Sequence, residues 1–147
     1  MTTVAAVLLS AGESTRMGKT KALLDWGAGQ SLLRYQIATL MKAGYSPVVV
    51  VLGHNPETLA NQIPDHPDVK SIINQDYQSG RASSVAQGVS SLPKDIDGVL
   101  VISIDQPRSI TMLAQLKQEW ESTKPRPPIA VPTYGGRVGH PTLFNGS

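Results

Sequence analysis

The sequence contains no cysteine, which excludes disulfide bonds, thiolate zinc sites and cysteine nucleophiles. It also has no apolar run approaching the ~18 residues of a membrane-spanning helix. No basic segment precedes the apolar residues 4–9, so we expect no signal peptide. The formal net charge of +2 is too small to indicate a nucleic-acid-binding surface. These absences predict a soluble, cytoplasmic protein that binds neither membranes nor nucleic acid.

The 147 residues are 40% hydrophobic and 16% charged, which is typical of one globular domain. Short apolar runs of strand length alternate with segments that have helical periodicity. Such alternation predicts an α/β fold, with a mostly parallel, Rossmann-like sheet and helices on both faces. Strands are predicted over residues 4–9, 48–52, 69–73, 99–104 and 129–131. Helices are predicted over residues 32–41 and 81–92, and two more are predicted to begin at residue 56 and after Ser109, the last of them running to about residue 122.

Unusual loops follow three of these strands, after Leu9, Ile73 and Ile104. Ligands of parallel α/β sheets bind at the carboxyl ends of the strands. Because all three loops lie at those ends, we expect them to form one binding site.

The first loop combines small residues with a cluster of basic ones, Arg16, Lys19 and Lys21. Exposed backbone N–H groups and positive charge together suit a triphosphate. Five residues separate Gly12 from Gly18, one too many for the G-x-x-x-x-G-K-[ST] loop. The G-x-G-x-x-G dinucleotide fingerprint and its acidic partner after the second strand are also missing, so an NAD enzyme is not expected.

The second and third loops carry polar residues that have more than one interpretation. Segment 74–85 either faces a ligand or is an ordinary capped helix start, with Asn74 and Asp76 as turn residues. Asp105 ends an apolar strand, and Pro107 two residues later stops any continuation of that strand. Asp105 is therefore either a turn residue or a Mg²⁺ ligand. The turn that contains His140 either contacts a substrate or is a surface turn around proline.

Residues 9–21 fit the pattern L-x-A-G-x-S-x-R-M-G-x-x-K, which resembles the signature loop of the MobA-like molybdenum-cofactor nucleotidyltransferases. Residues 74–85 resemble the family's N-x-D-Y-x-x-G-x-x-x-S-V segment, and residues 105–107 resemble its D-x-P motif. Residues 139–141 resemble the G-H-P turn of the cytidylyl-transferring, MocA-like branch. The resemblance extends over nearly the whole sequence and implies a nucleotide-diphospho-sugar-transferase type of fold in one domain, residues 1–147. It also implies that the family's C-terminal part is missing here.

The resemblance implies a role for each matching residue. Arg16 and Lys21 would bind the triphosphate, Asp105 would bind Mg²⁺, and His140 would contact the pterin-bearing substrate. Further contacts would come from the first loop, which surrounds the nucleotide, and from the second, which faces its base and ribose: Leu9, Ser10, Ala11, Gly12, Asn74, Asp76, Gly80, Ser83 and Ser84.

The implied reaction transfers CMP from CTP to the phosphate of molybdopterin and releases pyrophosphate. CTP is favoured over GTP because the methyl group of Ala11 would crowd a purine more than a pyrimidine. A molybdenum hydroxylase is an expected partner, since it would receive the cofactor. The alternatives are a nucleotidyltransferase that uses GTP or acts on a sugar or alcohol phosphate, and a nucleotide-binding module without catalysis.

Overall fold

The computed structural model describes residues 2–11, 15–16, 19–27, 29–53, 56–134 and 137–146. For residues 15, 16, 19, 20, 133, 134, 137 and 138 it describes the backbone alone. The strands are β1 (Val4–Ser10), β2 (Thr15–Arg16), β3 (Lys19–Thr20), β4 (Val48–Leu52), β5 (Val69–Ile73), β6 (Gly98–Ser103), β7 (Ile129–Ala130), β8 (Thr133–Tyr134), β9 (Arg137–Val138) and β10 (Thr142–Asn145). The helices are α1 (Leu32–Lys42), α2 (Pro56–Ala60), α3 (Arg81–Ser90) and α4 (Ile110–Ser122), with short 3-10 segments at Lys21–Leu23 and Tyr77–Ser79.

Six strands form the main sheet in the order β5-β4-β1-β6-β10-β7. The pairs β5–β4, β4–β1 and β1–β6 are parallel, whereas β10 is antiparallel to both β6 and β7. The predicted mostly parallel α/β sheet is therefore confirmed. Because β1 lies at the centre of the parallel part, the loop that follows it lies between the loops that follow β4 and β6.

Helices cover both faces of the sheet, as predicted. Alternate side chains of β1 point to opposite faces of the sheet. Because helices cover both faces, all seven residues of this strand are buried. Leu8 and its neighbours on one face pack with α1 and α4, whereas Val7 and its neighbours on the other face pack beside α3. On that second face Gly88 brings α3 close to the sheet, because a Cβ there would lie 2.5 Å from Val7 Cγ1.

The helix starts predicted from serine caps are confirmed. Ser31 Oγ accepts a hydrogen bond from Arg34 N (3.2 Å), and Ser109 Oγ accepts one from Met112 N (3.1 Å). These bonds satisfy backbone donors that the first turn of a helix leaves free. Gly44 follows α1 with φ of 98°, a left-handed conformation that glycine adopts without strain.

Several boundaries differ from those predicted. The helix that begins at Pro56 is only five residues long, α3 ends at Ser90, and β6 is shifted by one residue to 98–103. Strand β10 was not predicted, because a four-residue segment has little local pattern. It forms by long-range pairing, with Leu143 opposite Leu100 of β6. Among the described residues, no helix has the length and apolar character needed to cross a membrane.

Candidate functional site

A cleft of about 240 Å³ opens at the carboxyl ends of β1 and β6. It is lined by residues 9–11, 21–22, 77, 80–81, 84 and 103–105, and we refer to this set as the cleft. The three loops predicted to meet do meet here, because β5, β1 and β6 belong to one parallel set, in the order β5-β4-β1-β6, whose carboxyl ends share one edge.

Among the side chains that the structure describes, those of two cations and one carboxylate line the cleft. Lys21 comes from the segment after β3, Arg81 begins α3, and Asp105 follows β6. Neither Lys21 nor Arg81 has an ion-pair partner among the side chains that the structure describes. Cations without an ion-pair partner among the described side chains favour an anionic ligand, particularly one such as a phosphate that accepts several hydrogen bonds.

The backbone around Asp105 is well anchored. Ile104 N donates to Leu9 O (3.0 Å), and Gln106 N donates to Ser103 O (3.1 Å) across a turn. The Asp105 side chain is exposed. The side chains that the structure describes include no group of three or more histidine or acidic residues that could enclose a metal. One exposed carboxylate fits Mg²⁺, which typically takes one or two protein carboxylates and completes its shell with water and substrate phosphate oxygens.

Asn74 lies beneath the second loop and is fully buried. Its Nδ2 donates to Ser83 Oγ and to Ser84 Oγ (2.9 Å each). Its Oδ1 accepts from Asp76 N (3.0 Å) and from Gln87 Nε2 (2.8 Å). Four hydrogen bonds use the full capacity of an asparagine side chain. The structure therefore gives Asn74 an organising role beneath the loop, and its contact with a ligand stays a prediction.

The other predicted residues of this loop divide into two groups. Gly80 and Ser84 line the cleft, and Ser84 is buried at its floor. Asp76 and Ser83 do not line it. The Ser83 hydroxyl instead donates to Gly80 O (2.9 Å) and stabilises the start of α3.

Gly53 permits a close approach between the first and second loops. A Cβ at this position would lie 2.6 Å from Ala11 O and 2.6 Å from Tyr77 Cβ. Real Cβ atoms do not approach other atoms so closely, so any larger residue would displace the Ala11 backbone or the Tyr77 ring. Both Ala11 and Tyr77 line the cleft, and Gly53 therefore helps to set its shape.

His140 is held beside the Asp105 loop without lining the cleft. Arg108 joins the two segments, because its Nε donates to His140 O (3.1 Å) and its Nη1 donates to Pro107 O (2.9 Å). Two other predicted contacts are not described: Gly12 lies outside the described residues, and Arg16 is described only as backbone in β2, where it pairs with Lys19.

Of the predicted residues with described side chains, the structure brings together Leu9, Ser10, Ala11, Lys21, Gly80, Ser84 and Asp105. Sequence reasoning missed Arg81, Tyr77 and Ser103, which also line the cleft. Arg81 occupies an unspecified position of the second pattern, directly after Gly80. Its position at the start of a helix beside a predicted binding loop was the available signal.

The parallel sheet with this cleft defines an α/β domain of the nucleotide-diphospho-sugar transferase type. The chain belongs to the MobA-like NTP transferase domain family, whose model matches residues 6–147.

Curated relatives are similar over most of this chain but are themselves longer. The bifunctional protein GlmU of an Anaeromyxobacter species is 36% identical over 111 residues, which cover 72% of this chain and 22% of GlmU. The nicotine blue oxidoreductase of Paenarthrobacter nicotinovorans is 33% identical over 115 residues, which cover 77% of this chain and 55% of that protein.

Among solved structures, Rv0371c from Mycobacterium tuberculosis matches with a TM-score of 0.81 at 23% identity, over 98% of this chain and 71% of the other. Its manganese complex matches with a TM-score of 0.74. Identity this low shows the fold alone. Because the two curated relatives carry different functional names, the activity of this chain has to be argued from its site.

Proposed function

We propose that this chain is the nucleotide-binding core of a divalent-metal-dependent nucleotidyltransferase, which transfers CMP from CTP to the terminal phosphate of molybdopterin. One observation carries the proposal. Segments far apart in the sequence place Lys21, Arg81 and Asp105 in one cleft, and neither cation has a carboxylate partner among the described side chains. Membership of the MobA-like family supports it.

In the proposed reaction an oxygen of the acceptor phosphate attacks the α-phosphorus of the nucleotide. A new P–O bond forms, the bond to the β-phosphate oxygen breaks, and pyrophosphate leaves with that electron pair. The nucleophile is already an anion, so the chain need not supply a general base. Its residues contribute by positioning and by charge neutralisation. Lys21 and Arg81 neutralise the phosphates, and by family resemblance Arg16 joins them.

Asp105 is the proposed Mg²⁺ ligand, since an exposed carboxylate beside two cations fits a metal shared with phosphate oxygens. When bound, the metal would supply Lewis-acid polarisation and further charge neutralisation at the phosphates. The manganese complex of a structural neighbour is consistent with a divalent metal in this fold.

The choice of CTP depends on the first loop. Ala11 lines the cleft, and by family resemblance its methyl group would crowd a purine more than a pyrimidine. Backbone groups of Leu9, Ser10 and Gly12 would surround the nucleotide, and Gly80 and Ser84 would face its base and ribose. The choice of molybdopterin as the acceptor is supported by the G-H-P resemblance. His140 would lie on the acceptor side, and a molybdenum hydroxylase would be the partner that receives the product.

A second candidate function is an oxidoreductase, which the name of the Paenarthrobacter relative favours. The dinucleotide fingerprint is missing after β1, which is evidence against a nicotinamide cofactor bound in the usual way. Titration with NADH separates the two candidates, because only an oxidoreductase of this kind would bind it in preference to CTP.

The test is calorimetric titration of the purified chain with CTP and with GTP, each with and without Mg²⁺. Asp105→Asn is run beside a matched control, Asp95→Asn. The control makes the same charge change at an exposed position before β6, at the opposite end of that strand from Asp105.

We expect CTP binding that Mg²⁺ strengthens, that Asp105→Asn weakens about tenfold or more in the presence of Mg²⁺, and that Asp95→Asn leaves unchanged. A preference for GTP would overturn the choice of nucleotide and keep the class of reaction. Binding without release of pyrophosphate, when molybdopterin is supplied, would favour the non-catalytic module. Failure to bind either nucleotide would contradict the proposal.

A further inference from the structure

Gln36 is a buried polar residue of α1 that no motif of the sequence includes. Its side chain is 2% exposed and reaches the carboxyl end of β6. The Nε2 group donates to Ser103 O (3.2 Å) and to Ile104 O (2.8 Å). The Nε2 group therefore binds the two carbonyls that immediately precede Asp105.

These bonds complete the anchoring of the backbone before Asp105. The Ile104 N–H already donates to Leu9 O (3.0 Å), so this residue is held through its N–H and its carbonyl at once. Ser103 O accepts from Gln106 N as well as from Gln36. Asp105 is thus the third residue of a turn whose first two carbonyls are both bound by one side chain.

The same turn is also held from the other side of the sheet. The Arg81 guanidinium donates a hydrogen bond to the Ser103 hydroxyl. Arg81 begins α3, which covers the face opposite to α1. Contacts from both layers therefore fix the end of β6, and of the two only Gln36 is buried and outside the cleft.

We propose that Gln36 is a positioning residue for the metal-binding carboxylate. By holding the Ser103 and Ile104 carbonyls, it fixes the direction in which Asp105 presents its oxygens to a divalent cation. This inference rests on the proposed function, in which Asp105 binds the metal. Removing a residue that orients a metal ligand commonly weakens metal affinity about tenfold or more.

A purely structural role for Gln36 would have a different signature. In that case its loss would lower the stability of the whole domain and affect metal and nucleotide binding alike. A positioning role instead weakens metal binding selectively, because Lys21 comes from a separate segment and stays in the cleft when the Asp105 turn loosens.

The test compares the wild-type chain with Asp105→Asn, Gln36→Met and the control Ile37→Val. Met keeps the length of the side chain and removes both donors. Ile37 is 1% exposed on the same helix, and its contacts are apolar. A further variant, Gln36→Asn, keeps the amide but shortens its reach by one methylene, and it carries the test if Gln36→Met does not fold.

Two quantities are measured for each variant. The first is the affinity of the chain for Mn²⁺ at saturating CTP, from the electron paramagnetic resonance signal of free Mn²⁺ after correction for the Mn²⁺ that CTP binds in a protein-free titration. The second is the affinity for CTP in EDTA. We expect Gln36→Met to weaken Mn²⁺ binding about tenfold, in the same direction as Asp105→Asn. We expect its metal-free CTP affinity to match the wild type, and Ile37→Val to leave both quantities unchanged.

If Asp105→Asn loses Mn²⁺ affinity and both Gln36 variants keep it, the positioning role is wrong while the proposed function stands. If Gln36→Met weakens metal-free CTP binding as much as Mn²⁺ binding, the residue is structural and the inference is overturned. Wild-type Mn²⁺ affinity in Asp105→Asn would overturn the metal role of Asp105, and the role of Gln36 with it.

Discussion

Replacing Asn74 with alanine tests whether the second loop is organised by a buried hydrogen-bonding centre. The substitution removes four hydrogen bonds at once, to Ser83, Ser84, Asp76 and Gln87. These bonds connect the end of β5 to the 3-10 segment and to the first two turns of α3. Their loss should therefore loosen one wall of the cleft as well as destabilise the fold.

The magnitude follows from the surroundings of each partner. A hydrogen bond within a protein contributes about 1 kcal/mol net, and less where water can replace the lost partner. Asp76 and Gln87 are exposed, so water can replace their bond to Asn74. Ser84 is only 4% exposed, and its hydroxyl would lose the Asn74 amide donor in a buried site. We therefore expect a loss of about 2–3 kcal/mol in the free energy of unfolding. For a domain of this size, that corresponds to roughly 5–10 °C in the unfolding midpoint.

The assay is urea unfolding followed by circular dichroism, with CTP affinity measured on the same preparations. The control is Gln87→Ala, which removes one of the four bonds at an exposed position and should cost about 0.5 kcal/mol. We expect Asn74→Ala to lower both stability and CTP affinity. A variant with wild-type stability and sharply weaker CTP binding would mean that Asn74 contacts the ligand directly, and the assignment made from its buried geometry would be wrong.

Two glycines give further predictions. Gly53→Ala should weaken CTP binding about tenfold in calorimetry, because its Cβ would displace the Ala11 backbone or Tyr77 from the cleft; unchanged affinity would contradict this account of the cleft wall. Gly88→Ala should cost about 1–2 kcal/mol in urea unfolding with CTP affinity retained, because overpacking against Val7 exceeds the gain in helix propensity. The double variant with Val7→Ala should recover part of that loss, and no recovery would contradict the proposed clash.

Much of the sheet could be predicted because its signals are local. Strands β4 and β5 have the predicted bounds. Strand β4 is a continuous apolar run, and β5 has β-branched residues at both ends, Val69 and Ile72–Ile73, with polar residues flanking the strand. Ser31 and Ser109 were correct caps, because a capping hydrogen bond joins residues three apart. The meeting of the three loops also followed from the order of the elements, as parallel strands present their carboxyl ends at one edge.

The side-chain arrangement within the site was less predictable. Asn74 and Ser84 belong to the same pattern, yet one is fully hydrogen-bonded beneath the loop and the other lines the cleft. In the sequence, both are simply polar residues near a predicted helix start. Which of them faces a ligand depends on how α3 packs against β1 and β4, and sequence spacing carries no information on that packing.

The sequence by itself determined the α/β class, the central strands, the helix starts and the loops that would form a site. The tertiary structure decided that β10 completes the sheet, that Arg81 joins Lys21 and Asp105 in one cleft, and that Gln36 holds the turn before Asp105. Strand and cap signals arise from interactions within a few residues. The interactions that complete the site join residues that are far apart in the chain, such as Gln36 and Ile104, 68 positions apart. They become neighbours only when the strands are ordered and the helices packed.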